Sequence, residues 1–139
     1  MTSHWEHFEH GADIGVRGLA TSKAGAFEQA ALALTAIITE PGRVAAQDTV
    51  TIDCEAADDE SLLVSWLNAL IFEIAVRRML FARFHVAIDG PQLHATATGE
   101  PLSRERHQPA VEVNGATFTA LRVAQTDSGL WLAQTVVDV

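Results

Sequence analysis

Residues 62–74 read LLVSWLNALIFEI. Leu62, Leu63, Trp66, Leu67, Leu70, Ile71 and Ile74 recur at three- and four-residue spacing, with Ser65, Asn68 and Glu73 between them. That is a helix with one face in a core. Asp58 or Asp59 is placed to cap it, acids suit the positive end of its dipole, and Arg77 and Arg78 suit the negative end. Trp66, Leu67 and Leu70 have the spacing of ordinary core packing, so they read as core and not as a partner-binding stripe. Upstream, Val50, Ile52 and Cys54 alternate with Thr49, Thr51 and Asp53, a strand with one wet face. Downstream, Phe84, Val86 and Ile88 alternate up to Asp89-Gly90, a hairpin signal, and Leu93, Ala95 and Ala97 suit the return strand.

The same reading extends to both ends. Trp5 to Glu9 is a short segment, Gly11-Ala12-Asp13 a turn, and Ile14, Val16 and Leu19 a strand interrupted by Gly15 and Gly18. Ser22 caps a second helix over residues 23–38, which Pro41-Gly42 ends. Residues 99–109 (GEPLSRERHQP) are polar, hold two prolines and read as a loop. Val111 and Val113 lead to an Asn114-Gly115 turn, residues 118–123 form a strand, Asp127-Ser128-Gly129 turns, and residues 130–139 form the last strand. The order predicts an α+β fold: a mixed, mostly antiparallel sheet with two main helices, one domain over residues 1–139.

At 139 residues the chain has the length of one domain, typically about 100–200 residues. Apolar residues are 48% of it, and mean hydropathy is +0.14, which excludes a disordered chain. No apolar run approaches a membrane span and no signal peptide opens the sequence. Nine basic against 18 acidic residues give a net charge of −9, which argues against a protein that grips RNA or DNA alone and for a basic protein partner or a cation. The single cysteine, Cys54, rules out an internal disulfide, so the expected compartment is the cytoplasm. There is no Gly-rich phosphate loop, no CxxC pair and no nucleophile elbow; Cys54 reads as a small core residue.

Six histidines are many for this length. On a strand His4 and His10 share a face and His7 points away, so a solvated terminal strand is the plainer reading and a three-His metal site the sharper one. Asp13 lies in a glycine-rich turn, where it either bonds its own backbone or faces a ligand. Asp138 follows the apolar Val136-Val137, and the α-carboxylate of Val139 adjoins it. A strand carrying two carboxylates at its tip meets repulsion and desolvation, which a cation relieves; a frayed, solvated end relieves them too. With Asp13 alongside, three oxygen donors meet, suited to Ca2+, Mg2+ or Mn2+ and not to zinc.

At these residues the sequence resembles the archease family. His10-Gly11-Ala12-Asp13-Ile14-Gly15 is similar to that family's H-T-A-D-I/V-G motif, and Phe27-Glu28-Gln29-Ala30-Ala31-Leu32-Ala33-Leu34 to its first helix. The stretch Leu62-Leu63-Val64-Ser65-Trp66-Leu67-Asn68-Ala69-Leu70 is similar to its second, and Gly99-Glu100 matches a Gly-Glu pair. Glu112-Val113-Asn114-Gly115-Ala116-Thr117 resembles its late E-V-K-x-A/V-T segment, and Val137-Asp138-Val139 its ending. The pieces span nearly the whole chain in order.

The resemblance implies an accessory protein of RtcB-type RNA ligases, acting in tRNA splicing or RNA repair. Such a protein promotes guanylylation of the ligase's active-site histidine by GTP, and its multiple turnover. It implies a divalent cation, Ca2+ first with Mg2+ or Mn2+ as alternatives, held by Asp13, Asp138 and the Val139 carboxylate. His10, Glu100 and Asn114 are further candidates for supporting or partner contacts, although a solvated loop acid is the plainer reading of Glu100. Departures are Asn114 where the family carries Lys, Gly11 where it carries Thr, and Phe118 and Thr119 in place of the archaeal-type Tyr and His. A chaperone-like protein-binding module without metal chemistry is the alternative. A hydrolase in its own right has only His10 to offer as a base.

Overall fold

The computed structural model describes residues 3–139. Strand β1 (His4–His10) turns into β2 (Asp13–Ala20), and helix α1 (Lys23–Ile38) follows. A single 3-10 turn (Pro41–Arg43) leads to β3 (Asp48–Glu55) and helix α2 (Asp59–Arg77). Then come β4 (Met79–Asp89), β5 (Gln92–Pro101), the one-turn helix α3 (Arg104–His107), β6 (Gly115–Ala116), β7 (Arg122–Gln125) and β8 (Trp131–Asp138).

The strands make two sheets. One runs β1-β2-β8-β6, with β7 also on the far edge of β8; the other runs β3-β5-β4. All pairings between these strands are antiparallel. The expected α+β class with mostly antiparallel strands therefore holds, split over two sheets. α1 packs on β2 and β8 on one side and on β4 on the other, and α2 likewise touches strands of both sheets. The helices thus form a middle layer, and their apolar residues meet both sheets in a single core of Phe27, Leu34, Leu63, Trp66 and Leu67 with Val16, Phe81 and Leu93.

Local chemistry sets these boundaries. Ser22 Oγ accepts from the Gly25 N–H at 3.0 Å, and Asp58 Oδ1 from the Ser61 N–H at 2.8 Å, so each helix starts on a side-chain cap. That bond holds the Asp58 carboxyl below its ordinary range. Arg78 closes α2 in the left-handed region at φ 54°. The Trp66 indole N–H donates to the Phe27 carbonyl at 3.1 Å, so the largest buried side chain ties the two helices together without stranding its polar atom. Gly18 lets α1 approach β2: a Cβ there would stand 2.1 Å from the Ala26 carbonyl oxygen.

Two expectations are corrected. Residues 99–109 are not one loop, because β5 continues through Pro101 and Ser103 caps α3. Residues 118–123 are not one strand: the chain turns at Ala120 (φ 54°) and pairs again only from Arg122. Thr135, fully buried, holds that turn by bonding the carbonyls of Thr117 and Thr119. Among the described residues, no helix is long and apolar enough to cross a membrane.

Candidate functional site

His10 and Asp13 face each other across the β1–β2 turn, with Gly11 at φ 62° supplying the left-handed residue. β2 then pairs with β8, Ile14 opposite Val137, so one step further the same register sets Asp13 opposite Asp138. The Val139 N–H lies 3.5 Å from Asp13 Oδ1. On the other side of β8, Gly115 is opposite Asp138, and the Asn114 N–H donates to the Asp138 carbonyl at 2.8 Å. The end of the chain therefore folds back beside the early His-Asp turn, with Asn114 on its far flank.

Alternation along the strands gives the side-chain directions. His10, Asp13 and Asp138 occupy one row on the face of the sheet away from the helices. The next row is Phe8, Gly15 and Val136, and the next Glu6, Arg17 and Gln134. Contacts confirm that these rows are shared: Arg17 donates to Glu6 Oε1 and to Gln134 Oε1, each at 2.8 Å, and lies over the Phe8 ring. The guanidinium beside Glu6 holds that carboxyl below its ordinary range. On the opposite face His7 Nε2 donates to the Ala33 carbonyl of α1 at 2.7 Å. The three-His metal site is thereby excluded, since His7 is turned away from His4 and His10 and already bonded.

Asp13 is half-buried and Asp138 exposed, and neither meets a Lys, Arg or His within ion-pair distance among the described residues. Two carboxylates in one row without a counter-ion form an anionic end. Among the described residues no three His, Cys, Asp or Glu side chains are gathered closely enough to hold a metal. A cation at this end fits only with a further oxygen besides the two aspartates. The donors within reach, two carboxylates and the main-chain oxygens at the strand end, are the hard ligands that Ca2+, Mg2+ and Mn2+ take.

Glu100 has a different setting from the solvated loop acid expected. It is the penultimate residue of β5, is 1% exposed, and its two oxygens take four donors. Oε2 accepts from the Ala45 N–H at 2.8 Å and from His107 Nε2 at 2.9 Å; Oε1 accepts from Arg106 and, at 3.4 Å, from Gln47. His107 Nδ1 accepts from the Ser103 N–H at 2.9 Å, so the ring proton is on Nε2 and points at Glu100. The Ala45 N–H first, and then the His107 bond, hold the Glu100 carboxyl below its ordinary range. With every lone pair engaged, Glu100 ties β5, α3 and the start of β3 together and has nothing left for a cation. His107 had no role in the sequence reading; the only local hint was Ser103 three residues before Arg106, a helix-start spacing. Cys54 is half-buried, and desolvation pushes its thiol up, as suits an unreactive packing residue.

A small two-sheet domain with its helices in the middle and an unpaired aspartate row where its last strand ends defines a recognisable class. Residues 5–139 match the Archease protein family, and the chain belongs to it. It is 37% identical over 139 residues to a protein archease of Pyrococcus abyssi, covering 97% of this chain and 98% of that one. Identity to a protein archease of Sulfolobus acidocaldarius is 32%, covering 99% of each chain. The solution structure of Methanobacterium thermoautotrophicum protein 1598 superposes with a TM-score of 0.83 at 32% identity, over 97% of this chain and 98% of that one. A crystal structure from Thermotoga maritima, described as an archease and possible chaperone, shares the fold with a TM-score of 0.60 at 18% identity, over 95% of this chain and 94% of that one.

Proposed function

We propose that this protein is an accessory factor of an RtcB-type RNA ligase, active in the cytoplasm in tRNA splicing or RNA repair. It promotes guanylylation of the ligase by GTP, and its multiple turnover. The observation that carries this reading is the Asp13–Asp138 row, with the Val139 N–H beside Asp13, at the end of the central strands. In this reading Asp13, Asp138 and the Val139 carboxylate hold a divalent cation, Ca2+ before Mg2+ or Mn2+. The cation supplies a positive charge for phosphate oxygens at the interface with the ligase.

The protein's own residues do the positioning. Pairing of β2 with β8 holds the two aspartates in one row without a salt bridge that would compete for their oxygens. His10, next to Asp13 in the row, and Asn114, bonded through its backbone to Asp138, are the polar groups that border a docked partner. Net charge −9 supports docking on a basic ligase surface and speaks against direct RNA binding. The test is ligase guanylylation with radiolabelled GTP under multiple turnover. Asp13→Ala and Asp138→Ala are expected to abolish the stimulation while keeping the wild-type circular dichroism spectrum. Full stimulation by both variants removes the cation from the function. Suppression of aggregation of unrelated proteins, unchanged in both variants, would instead establish the chaperone reading.

A further inference from the structure

Four of the nine basic side chains make no ion pair among the described residues: Arg78, Arg83, Arg104 and Arg122. Arg78 and Arg104 border the same cleft, of about 580 Å3, between the C-terminal half of α2 and residues 109–113. Its floor is apolar, built on Ile71, Ile74, Ala75 and Val113. Arg78 and Leu102 adjoin at one end, where the Leu102 N–H donates to the Arg78 carbonyl at 2.9 Å. Glu112 also lines the cleft and makes no ion pair with either arginine.

Exposed apolar groups collect here. Leu102 and Val111 line the cleft at 41% and 39% exposure, and Phe72 and Val76, next to Ile71 and Ala75 on α2, are 61% and 63% exposed. These are four of the six large apolar side chains exposed among the described residues. An apolar surface of this kind marks an interaction site, and two uncompensated guanidiniums on a chain of net charge −9 give it the opposite sign to the rest of the molecule. The cleft is not enclosed, and the exposed Phe72 and Val76 adjoin its lining residues along α2, which suits a length of polypeptide better than an enclosed small molecule.

We infer that this cleft docks an acidic, apolar segment of the partner ligase, with apolar side chains over Ile71, Ile74 and Ala75 and a carboxylate on Arg78 and Arg104. The inference rests on the proposed function and gives it a second contact. The wall of the cleft also connects the two regions. Ala110 is anchored by its N–H to the Ile38 carbonyl at 2.8 Å, and the chain runs on to Asn114 on Asp138. One short segment thus joins the cleft to the strand end that carries Asp138, and in this proposal the cleft supplies affinity and the aspartates supply activation.

The experiment measures affinity and guanylylation separately, with the purified RtcB-type ligase of the same genome. Arg78→Glu with Arg104→Glu is expected to weaken the complex at least tenfold by calorimetry, and its stimulation returns as its concentration is raised. Val111→Asp, also exposed and so folding-neutral, is expected to weaken it similarly. Asp13→Ala is expected to keep the wild-type affinity by calorimetry but to give no stimulation at any concentration. Wild-type affinity in both cleft variants, with stimulation intact, overturns the inference and leaves the proposed function standing. Absence of both binding and stimulation by the wild-type protein overturns the proposed function, and the docking inference falls with it.

Discussion

Glu100 and the Asp13–Asp138 pair are both carboxylates near strand ends, and the fold treats them in opposite ways. Glu100 is enclosed, and all its lone pairs are taken by Ala45, Gln47, Arg106 and His107. Asp13 and Asp138 stand at the end of the central strands with no cationic partner among the described residues. Residue type and even a motif match do not separate these two cases. What separates them is where the remaining donors are: the chain spends an arginine, a histidine, an amide and a backbone N–H on Glu100, and on the aspartate pair only the Val139 N–H, 3.5 Å from Asp13. A satisfied buried carboxylate stabilises the fold, whereas an unsatisfied pair is free to bind.

The largest effect expected from this contrast is on activity. On the proposed function, Asp13→Ala or Asp138→Ala should reduce ligase stimulation by more than about 100-fold, since there each removes a metal ligand, a loss that exceeds the roughly 10–100-fold seen for outer partners of a metal site. Thermal unfolding of the same variants should stay within a few degrees of wild type, because neither carboxylate holds the fold together. An equal loss of melting temperature in these variants and in Glu100 variants would erase the distinction.

Next comes stability at Glu100. Glu100→Gln keeps the volume but replaces one acceptor oxygen with an N–H2 group facing donors, so it should give the largest drop in melting temperature of the set. It also has a pH signature. The folded protein holds the Glu100 carboxyl below its ordinary range, so the contribution is complete above the unfolded value of about 4.3 and is lost as pH falls toward the folded value. The gap in melting temperature between wild type and Glu100→Gln should therefore be constant near neutrality and narrow below about pH 4.3. A gap unchanged down to pH 3 would contradict the assignment.

Gly18→Ala is the control for stability without chemistry. Its Cβ meets the backbone of α1 at 2.1 Å, so β2 and α1 must move apart. A cost of about 1–3 kcal/mol is expected, as for overpacked cores, read as a lower urea midpoint. Stimulation at a temperature where the variant remains folded should match wild type. Lost stimulation there would mean that the spacing of β2 and α1, and not the carboxylates alone, sets activity.

Elements are legible in the sequence where periodicity and caps agree. Both long helices, the β4–β5 hairpin and the last strand follow from apolar spacing and from Ser22, Asp58 and Asp89-Gly90, all local signals. The facing of Asp13 and Asp138 is not local. Spacing showed only that each was an odd acid near apolar neighbours, and strand pairing across more than 100 residues was needed to bring them together. The misreadings have a common physical source. Residues 99–109 look polar, but Glu100 and His107 are buried against each other and Arg106 covers Glu100 from the surface, which composition does not reveal. Residues 118–121 look strand-like, but the Thr135 hydroxyl bonds the Thr117 and Thr119 carbonyls and the chain turns at Ala120.

The smallest effect expected is at Asn114, where the family pattern has Lys. Its backbone N–H holds Asp138 whatever the side chain, so Asn114→Lys should leave the sheet and the melting temperature unchanged. The new ammonium would stand beside the aspartate row with a charge that an amide lacks. At an exposed position with an effective dielectric near water, that charge is worth about 1 kcal/mol on a neighbouring phosphate, or roughly fivefold. Stimulation of guanylylation at saturating metal should therefore rise several-fold at low salt, and the gain should shrink as ionic strength passes about 0.15 M, where charges more than about 8 Å apart are screened. A gain that persists at high salt would mean that the lysine acts by direct contact and not through its field. No gain at any salt would show that Asn114 lies outside the area the ligase covers, and would narrow the active end to the aspartate row itself.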